Sequence, residues 1–503
     1  MQQPSRSPAI RRLLRRAVPA ALLSLVFVAT LAAQVPQGQS ARPADAVTRI
    51  ANDADVLAQQ RLFSAWMNGQ IEYRELPGIV VGIVAGDDLV WAKGFGFADI
   101  KARKPMTAET KFRMASHSKL FTATAVMQLR EQGKVRLDDP VSKHLSWFRV
   151  KPAGDDDQPV TVENLLTHSS GLPREAGAHW TTGEFPTADE IRSLISDREA
   201  AFAPSVRWKY SNLAYTIAGM VAEQASGVKW ADYVQTNIFA PLGMTSSSVD
   251  RDVEGMAVGY AARVPSKTAR DVMPFTDARG MASATGITST VGDMAKFVSA
   301  QFRHGPRGGN RILGSGSLRE MHRVRSMENN WLSGNGIGFA GRRLGNRLWL
   351  GHGGGYPGYT TQTLFDLESK VGVIVLTNTN DSNPGDIATQ LINTVADAVI
   401  KASAEKPKQV AWDPAWARFA GRYRGMRGGE TEVVLLNNKL AMINPWATSL
   451  ENVTNLEPIG DGRLRLVAPT GGGAVGEVVR FAEQNGRVTR IYVGDGFSDR
   501  VDR

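Results

Sequence analysis

The chain contains no cysteine. That single absence excludes disulfides, thiolate metal sites and cysteine nucleophiles. Its seven histidines show no metal-ligand spacing and H-E-x-x-H is missing, so no metal and no cofactor is expected. No G-x-S-x-G stands anywhere, which argues against an α/β-hydrolase nucleophile elbow. Lysine and arginine form no long run and no aromatic-interleaved stripe, so nucleic acid is not an expected partner. The net charge is +10, but Arg6, Arg11, Arg12, Arg15 and Arg16 lie in an N-terminal segment expected to be removed. Taking those five away leaves +5, spread along the chain.

That segment is the first feature present. Arg11–Arg16 form a basic stretch, Ala17–Ala33 an apolar core of export-signal length, and Thr30, Ala32 and Ala33 the small residues of a cleavage site before Gln34. Residues 1–33 therefore read as a signal peptide and 34–46 as a flexible tether. The protein is expected to be exported, periplasmic or secreted, with no stable membrane span after cleavage, because no later apolar run approaches spanning length.

At 503 residues, two or three domains are expected. Thr48–Tyr73 carries a helical stripe of Ile50, Val56, Leu57, Leu62, Phe63 and Trp66. Ile79–Ala85 and Leu89–Phe97 flank an acidic turn at Asp87-Asp88 and read as a β-hairpin. Helices are expected at Leu213–Ser226, Trp230–Leu242 (ended by Pro241 and Gly243), Val291–Gln301 and Ile387–Lys401, and strands at Arg347–Leu350, Tyr359–Asp366 and Val371–Thr377. Two strands early and three late predict one antiparallel sheet completed across a helical insertion, an α+β domain over 47–401. Residues 402–413 form a charged linker. Beyond it, Glu432–Leu436, Leu440–Ile443, Leu464–Val467, Val478–Phe481 and Val488–Val493 are short runs between turns, which predicts a small all-β domain over 414–503.

Three short patterns carry chemistry. In Phe112–Leu129, Ser116 and Lys119 stand one helical turn apart, so the amine can reach the hydroxyl near free N–H groups of a helix start. S-x-x-K also occurs at Ser226–Lys229 and Ser403–Lys406, so the spacing alone does not choose Ser116. Tyr210-Ser211-Asn212 is the only Y-x-N; as plain structure, it caps the helix from Leu213. His352-Gly353-Gly354 is the only H-x-G, read either as a glycine turn or as a place where substrate meets backbone, with the Gly355 N–H as an oxyanion donor. Gly353–Gly358 also fits G-x-G-x-x-G, but a β-branched stretch follows where a dinucleotide site needs a helix. His168 reads as a hydrogen-bonded structural residue.

In this order the three motifs resemble those of the penicillin-recognising serine enzymes, most closely the group related to class C β-lactamases with its esterases and D-amino-acid peptidases. LPGIVVGIV with GFGFAD, FRMASHSK, LLTHSSGLP, PLGM at Pro241 and GHGGGYPG are similar too. FAGRYRG at Phe419 and GRVTRIYV at Gly486 resemble the lipocalin-like domain appended to some members. The resemblance implies a β-lactamase/transpeptidase-like fold with a helical subdomain, plus a lipocalin-like barrel. It implies that Ser116 is acylated, that Lys119 or Tyr210 is the base, and that Asn212, His352, Gly353 and Gly354 bind substrate. Ser116 and Gly355 would supply the oxyanion hole. Where β-lactamases usually carry lysine this chain has His352, and no K-T-G or K-S-G exists. That turns the expectation from β-lactams toward esters and D-amino-acid peptides or amides. The alternative is a catalytically weak relative that binds peptidoglycan peptides.

Overall fold

Gly78–Ala85 (GIVVGIVA) is uncharged and rich in β-branched side chains, a composition suited to a strand covered on both faces. In the structure, a computed structural model, it is β1, with all eight residues buried. Residues 44–501 are described, apart from 155–157, 306–311, 405–413, 437–438, 447–452, 461 and 468–473. The expected signal peptide, residues 34–43 of the tether and 405–413 of the linker lie outside the described residues. The chain divides into two units, residues 1–402 and 403–503.

The helical stripe ahead of β1 is two helices, α1 (Ala44–Ala51) and α2 (Ala54–Tyr73), not one. Asp53 breaks it by capping α2, its carboxylate accepting from the Asp55 and Val56 N–H groups. The expected hairpin forms from β1 and β2 (Asp88–Asp99), with β3 (Lys104–Pro105) on its edge. The chain then leaves the sheet for a helical region containing α3 (Ser118–Glu131), α4 (Asn212–Ser226) and α5 (Val291–Gln301). It returns as β4 (Ser326–Met327), β5 (Ser333–Asn335), β6 (Ala340–Leu344), β7 (Arg347–Tyr356), β8 (Tyr359–Asp366) and β9 (Val371–Thr377). Helix α6 (Pro384–Leu391) follows and runs on through a wider turn to Ser403.

The antiparallel sheet has the order β3-β2-β1-β9-β8-β7-β6-β5-β4. Its closing pair is β1 with β9, in register from Ile79 opposite Thr377 to Ala85 opposite Val371. The early and late strands thus meet across the insertion. Alternation sorts the side chains between two cores. Ile79, Val81 and Ile83 pack with Phe63, Met67, Leu391 and Val395, while Val80 and Val84 face the helical region.

Helix α3 departs from its sequence pattern. A stripe at Leu120, Ala123, Val126 and Met127 predicts one buried face, yet every residue from Ser118 to Leu129 is buried. Packed on all sides, the helix encloses its polar residues as well as its apolar ones. Phe121 is fully buried, its ring centroid 4.3 Å from that of Phe297 and 5.4 Å from that of Phe239. Among the described residues, no helix is long and apolar enough to cross a membrane.

The second unit is a closed eight-stranded antiparallel barrel, β10 (Gly421–Arg424), β11 (Glu430–Leu436), β12 (Lys439–Ile443), β13 (Thr454–Gly460), β14 (Arg463–Val467), β15 (Val478–Gln484), β16 (Arg487–Val493) and β17 (Gly496–Val501). β17 pairs back onto β10, which removes the free edges. Tyr423, Val433, Leu440, Leu456, Leu466, Val479 and Ile491 fill the inside. Sequence patterning found five of the eight strands. β10 is only four residues long, β13 buries only Leu456 and contains Pro458, and β17 buries none of its residues. None of the three presents an apolar run.

Because Phe121 fills space between α3 and its neighbours, Phe121→Ala is expected to destabilise the first unit by about 3–5 kcal/mol. Denaturant unfolding measures this; a loss under about 1 kcal/mol would contradict the packing described.

Candidate active site

The start of α3 is held in an uncommon conformation. Ala115 is buried and has φ +52°, left-handed backbone that costs a non-glycine residue about 1 kcal/mol or more. Its surroundings keep it there. The Ser118 hydroxyl donates to the Ala115 carbonyl at 2.8 Å and accepts from the Ile287 N–H at 3.0 Å. A turn of 3-10 helix, Ala115–His117, then leads into α3 and leaves Ser116 partly exposed.

One turn on, Lys119 is completely buried. Its Nζ lies 3.1 Å from Ser116 Oγ, 2.7 Å from Asn212 Oδ1 and 3.0 Å from the Ala284 carbonyl. An ammonium has three donors, and here each has one acceptor. Burial, opposed by the charge of Glu175 and helped by that of Arg174, lowers the Lys119 pKa to about 7. The Tyr210 hydroxyl donates to Ser116 Oγ at 2.8 Å. Burial raises its pKa to about 12, so it stays a neutral phenol at ordinary pH.

Tyr210-Ser211-Asn212 is a helix cap, and the same corner brings Tyr210 to Ser116 and Asn212 to Lys119. Ser211 is the N-cap of α4, its hydroxyl accepting from the Ala214 N–H at 2.9 Å and donating to the Pro173 carbonyl at 2.6 Å. That rigid corner holds Tyr210 on one side and Asn212 on the other. His168 accepts from the Ser211 N–H at 3.1 Å, with its ring 4.4 Å from that of Tyr210. Burial first, then the nearby charges of Lys119, His352 and Arg174, holds its pKa far below the usual histidine range, so it packs as a neutral ring. Ser226, by contrast, donates to the Ala222 carbonyl at the far end of α4, and Lys406 lies outside the described residues.

The stretch at His352 differs from the glycine turn considered above. β7 runs through it to Tyr356, with Gly353 opposite Gln362, Gly354 opposite Thr361 and Gly355 opposite Thr360; the turn comes later, at Gly358 (φ +84°). Glycine is needed at 354 because a Cβ there would stand 2.4 Å from the Met114 carbonyl, so β7 packs directly on the Ala115 corner. At Gly355 no atom lies within 4 Å of that position. In a two-residue hairpin the pair flanking the turn exchanges hydrogen bonds, so the Gly355 N–H points away from β8. The neighbouring β6 pairs with β7 only as far as Gly351. His352 Nδ1 donates to the Gly353 carbonyl at 2.5 Å. Burial, with help from the Lys119 charge, lowers its pKa to about 4, so at neutral pH it is an uncharged ring. A cavity of about 330 Å³ opens beside it, lined by His168, Trp208, Tyr210, Phe339 and His352 among others.

Sequence reasoning missed Glu175, His179 and the Ala284 carbonyl. Glu175 accepts from Asn212 Nδ2 at 2.7 Å although 37 residues separate them. Its one signal is its place two residues after LLTHSSGLP.

A Ser–Lys–Tyr–Asn cluster with buried Lys119 and Asn212 and a partly exposed Ser116, beside a glycine-rich strand at the junction of an antiparallel sheet and a helical region, defines a serine hydrolase of the β-lactamase/transpeptidase type. The family model described as Beta-lactamase matches residues 63–396, and the chain belongs to that family. It is 25% identical to penicillin-binding protein 4* of Bacillus subtilis over 397 residues, 73% of this chain and 84% of that one. Among solved structures, the octameric penicillin-binding protein homologue from Pyrococcus abyssi is similar at a TM-score of 0.60 and 26% identity, over 87% of this chain and 99% of that one. A D-stereospecific amidohydrolase from Streptomyces sp. shares the fold at a TM-score of 0.55 and 23% identity, over 67% of this chain and 98% of that one.

The two glycines make a paired prediction. Gly354→Ala drives a methyl group into the Met114 carbonyl and is expected to cost about 1–3 kcal/mol, whereas Gly355→Ala enters open space and is expected to stay within about 0.5 kcal/mol of the parent. Melting curves of the two variants compare them, and equal losses would contradict the packing of β7 on Ala115.

Proposed function

We propose that the protein is an exported hydrolase that forms an acyl-Ser116 intermediate on carboxylic esters and on amides or peptides with D-residues. The observation that carries this reading is the Lys119 ammonium site, buried among three acceptors and poised near pH 7 against Ser116 Oγ. A base with a pKa near the working pH is the most effective.

Ser116 Oγ attacks the carbonyl carbon while its proton passes to neutral Lys119. The Ser116 and Gly355 N–H groups receive the oxyanion. As the tetrahedral adduct collapses, Tyr210 donates its proton to the departing oxygen or nitrogen and regains one from Lys119. The leaving group departs protonated and Lys119 is neutral again. Water attacks the acyl carbonyl by the same route in reverse, freeing the acid and Ser116. With its pKa raised to about 12, Tyr210 is suited to donating the proton and Lys119 to accepting the first one. Asn212 orients Lys119, and His352 with Gly353 and Gly354 forms the wall against which substrate lies. Neutral His352 gives a β-lactam carboxylate no fixed cation, which favours esters and D-peptides. Relatives named as penicillin-binding proteins support the acylation step, and the basic-then-apolar N-terminal segment supports export.

A fluorophosphonate or fluorescent penicillin is expected to label the wild type and not Ser116→Ala; equal labelling of both would sink the proposal. The sign of the pH dependence also follows. Neutral Lys119 is the active form, so kcat/KM for an ester should rise with pH through about 7, and His352, already neutral there, adds no limb. Lys119→Met should lose roughly 10²–10⁴-fold. A flat profile between about pH 5 and 9 would contradict the assignment of the base.

A further inference from the structure

Lys119 and Ser116 do not hold themselves in place. Asn212 is the link between Lys119 and the rest of the molecule, and an asparagine amide has two unlike ends. Its Oδ1 lies 2.7 Å from Lys119 Nζ and its Nδ2 2.7 Å from Glu175 Oε1. An ammonium only donates and an ionised carboxylate only accepts, so these two charges fix which way round the amide sits. When Lys119 gives up its proton to act as the base, its nitrogen can accept as well as donate, and its constraint on the amide lapses. Glu175 then holds it alone.

We infer that Glu175 is the positioning residue of this site, fixing the Asn212 amide so that Oδ1 stays on Lys119 throughout the proton cycle. The inference rests on the reading of Ser116 and Lys119 as the acylating pair.

Glu175 is built for that purpose and not for touching substrate. Its Oε1 also accepts from Arg174 Nε at 3.2 Å, its Oε2 lies 3.0 Å from His179 Nε2, and the Trp180 side chain donates as well. Four donors occupy the roughly four lone-pair sites of a carboxylate, leaving none for a ligand. His179 is itself buried, with its ring 5.3 Å from that of Trp180 and 4.6 Å from that of Phe185. The backbone grips the same corner: the Asn212 N–H donates to the Arg174 carbonyl at 2.8 Å. Burial works to raise the Glu175 pKa, but the hydrogen bonds from His179, Asn212 and Trp180 outweigh it and keep the group ionised.

Its charge also reaches Lys119. The groups around that ammonium are Arg174 and Glu175 before α4, Tyr210 at its start, Tyr215 within it, His168 beside Tyr210, His117 on the turn before α3 and His352 on β7. Glu175 is the one carboxylate in this set. It pulls the Lys119 pKa up against burial and Arg174.

The test is steady-state hydrolysis of p-nitrophenyl acetate by the full chain across pH, for wild type and Glu175→Gln. Glutamine can donate or accept, so it no longer dictates the amide, and it carries no charge. We expect kcat to fall at least about tenfold with KM held within about twofold. The acid limb of kcat/KM should move to lower pH by roughly half a unit to one unit, since the charge that raised the Lys119 pKa is gone. A raised KM with kcat and the limb unchanged would mean that Glu175 binds substrate, and unchanged kinetics would mean that it does neither; each overturns the inference. Should Glu175→Gln fail to fold, His179→Gln carries the test. It loosens Oε2 but keeps the charge, so kcat should fall with KM and the acid limb held, and an unchanged kcat would overturn the inference. A wild type that neither turns over nor takes up a fluorophosphonate overturns the acyl-serine reading itself, not the role of Glu175 alone.

Discussion

The site depends on one buried cation. Lys119 is enclosed on a helix with no exposed face between Ser118 and Leu129, and its charge is matched only by three oxygen acceptors and the nearby Glu175. Desolvation of an ammonium would cost several kcal/mol if nothing compensated it. Here the compensation is partial, which is why the proton is held loosely. A more exposed lysine would stay charged, and a less well-hydrogen-bonded one would lose its place. The acceptors come from separate stretches of the chain: Ser116 on the turn before α3, Asn212 at the start of α4 and the Ala284 carbonyl just before Ile287.

The sheet makes that convergence durable. β1 and β9 pair in register across an insertion of more than two hundred residues, and β7 lies close enough for Gly354 to touch the Met114 carbonyl. The left-handed backbone at Ala115 is held where the Ser118 hydroxyl bonds its carbonyl and is itself fixed by the Ile287 N–H, with Gly354 of β7 packed against the adjoining Met114 carbonyl. Ser116, Lys119 and the glycine strand are therefore fixed by packing before any ligand arrives, as the proposed acyl transfer needs.

Local patterns in the sequence were good guides to local structure. Val291–Gln301, Tyr359–Asp366 and Val371–Thr377 form over the expected residues, because periodicity and β-branching are properties of the segment itself. The Ser116–Lys119 contact was legible for the same reason, being one helical turn. What depends on distant partners was not legible. Nothing near α3 announces that it is enclosed on all sides, and nothing near Glu175 announces Asn212. Four glycines around His352 imitate a turn, and only the pairing with β8 makes them strand. In the barrel, β13 and β17 are strands because their neighbours pair with them, not because of their own side chains.

Burial brings Lys119 close to half-neutral at physiological pH, a property that can be measured without any substrate. In protein labelled with ¹³C at lysine Cε, the Lys119 resonance, assigned by its loss in Lys119→Arg, should titrate near pH 7. Titration near the ordinary lysine value of about 10.4 would make Lys119 a fixed charge and rule it out as the proposed base.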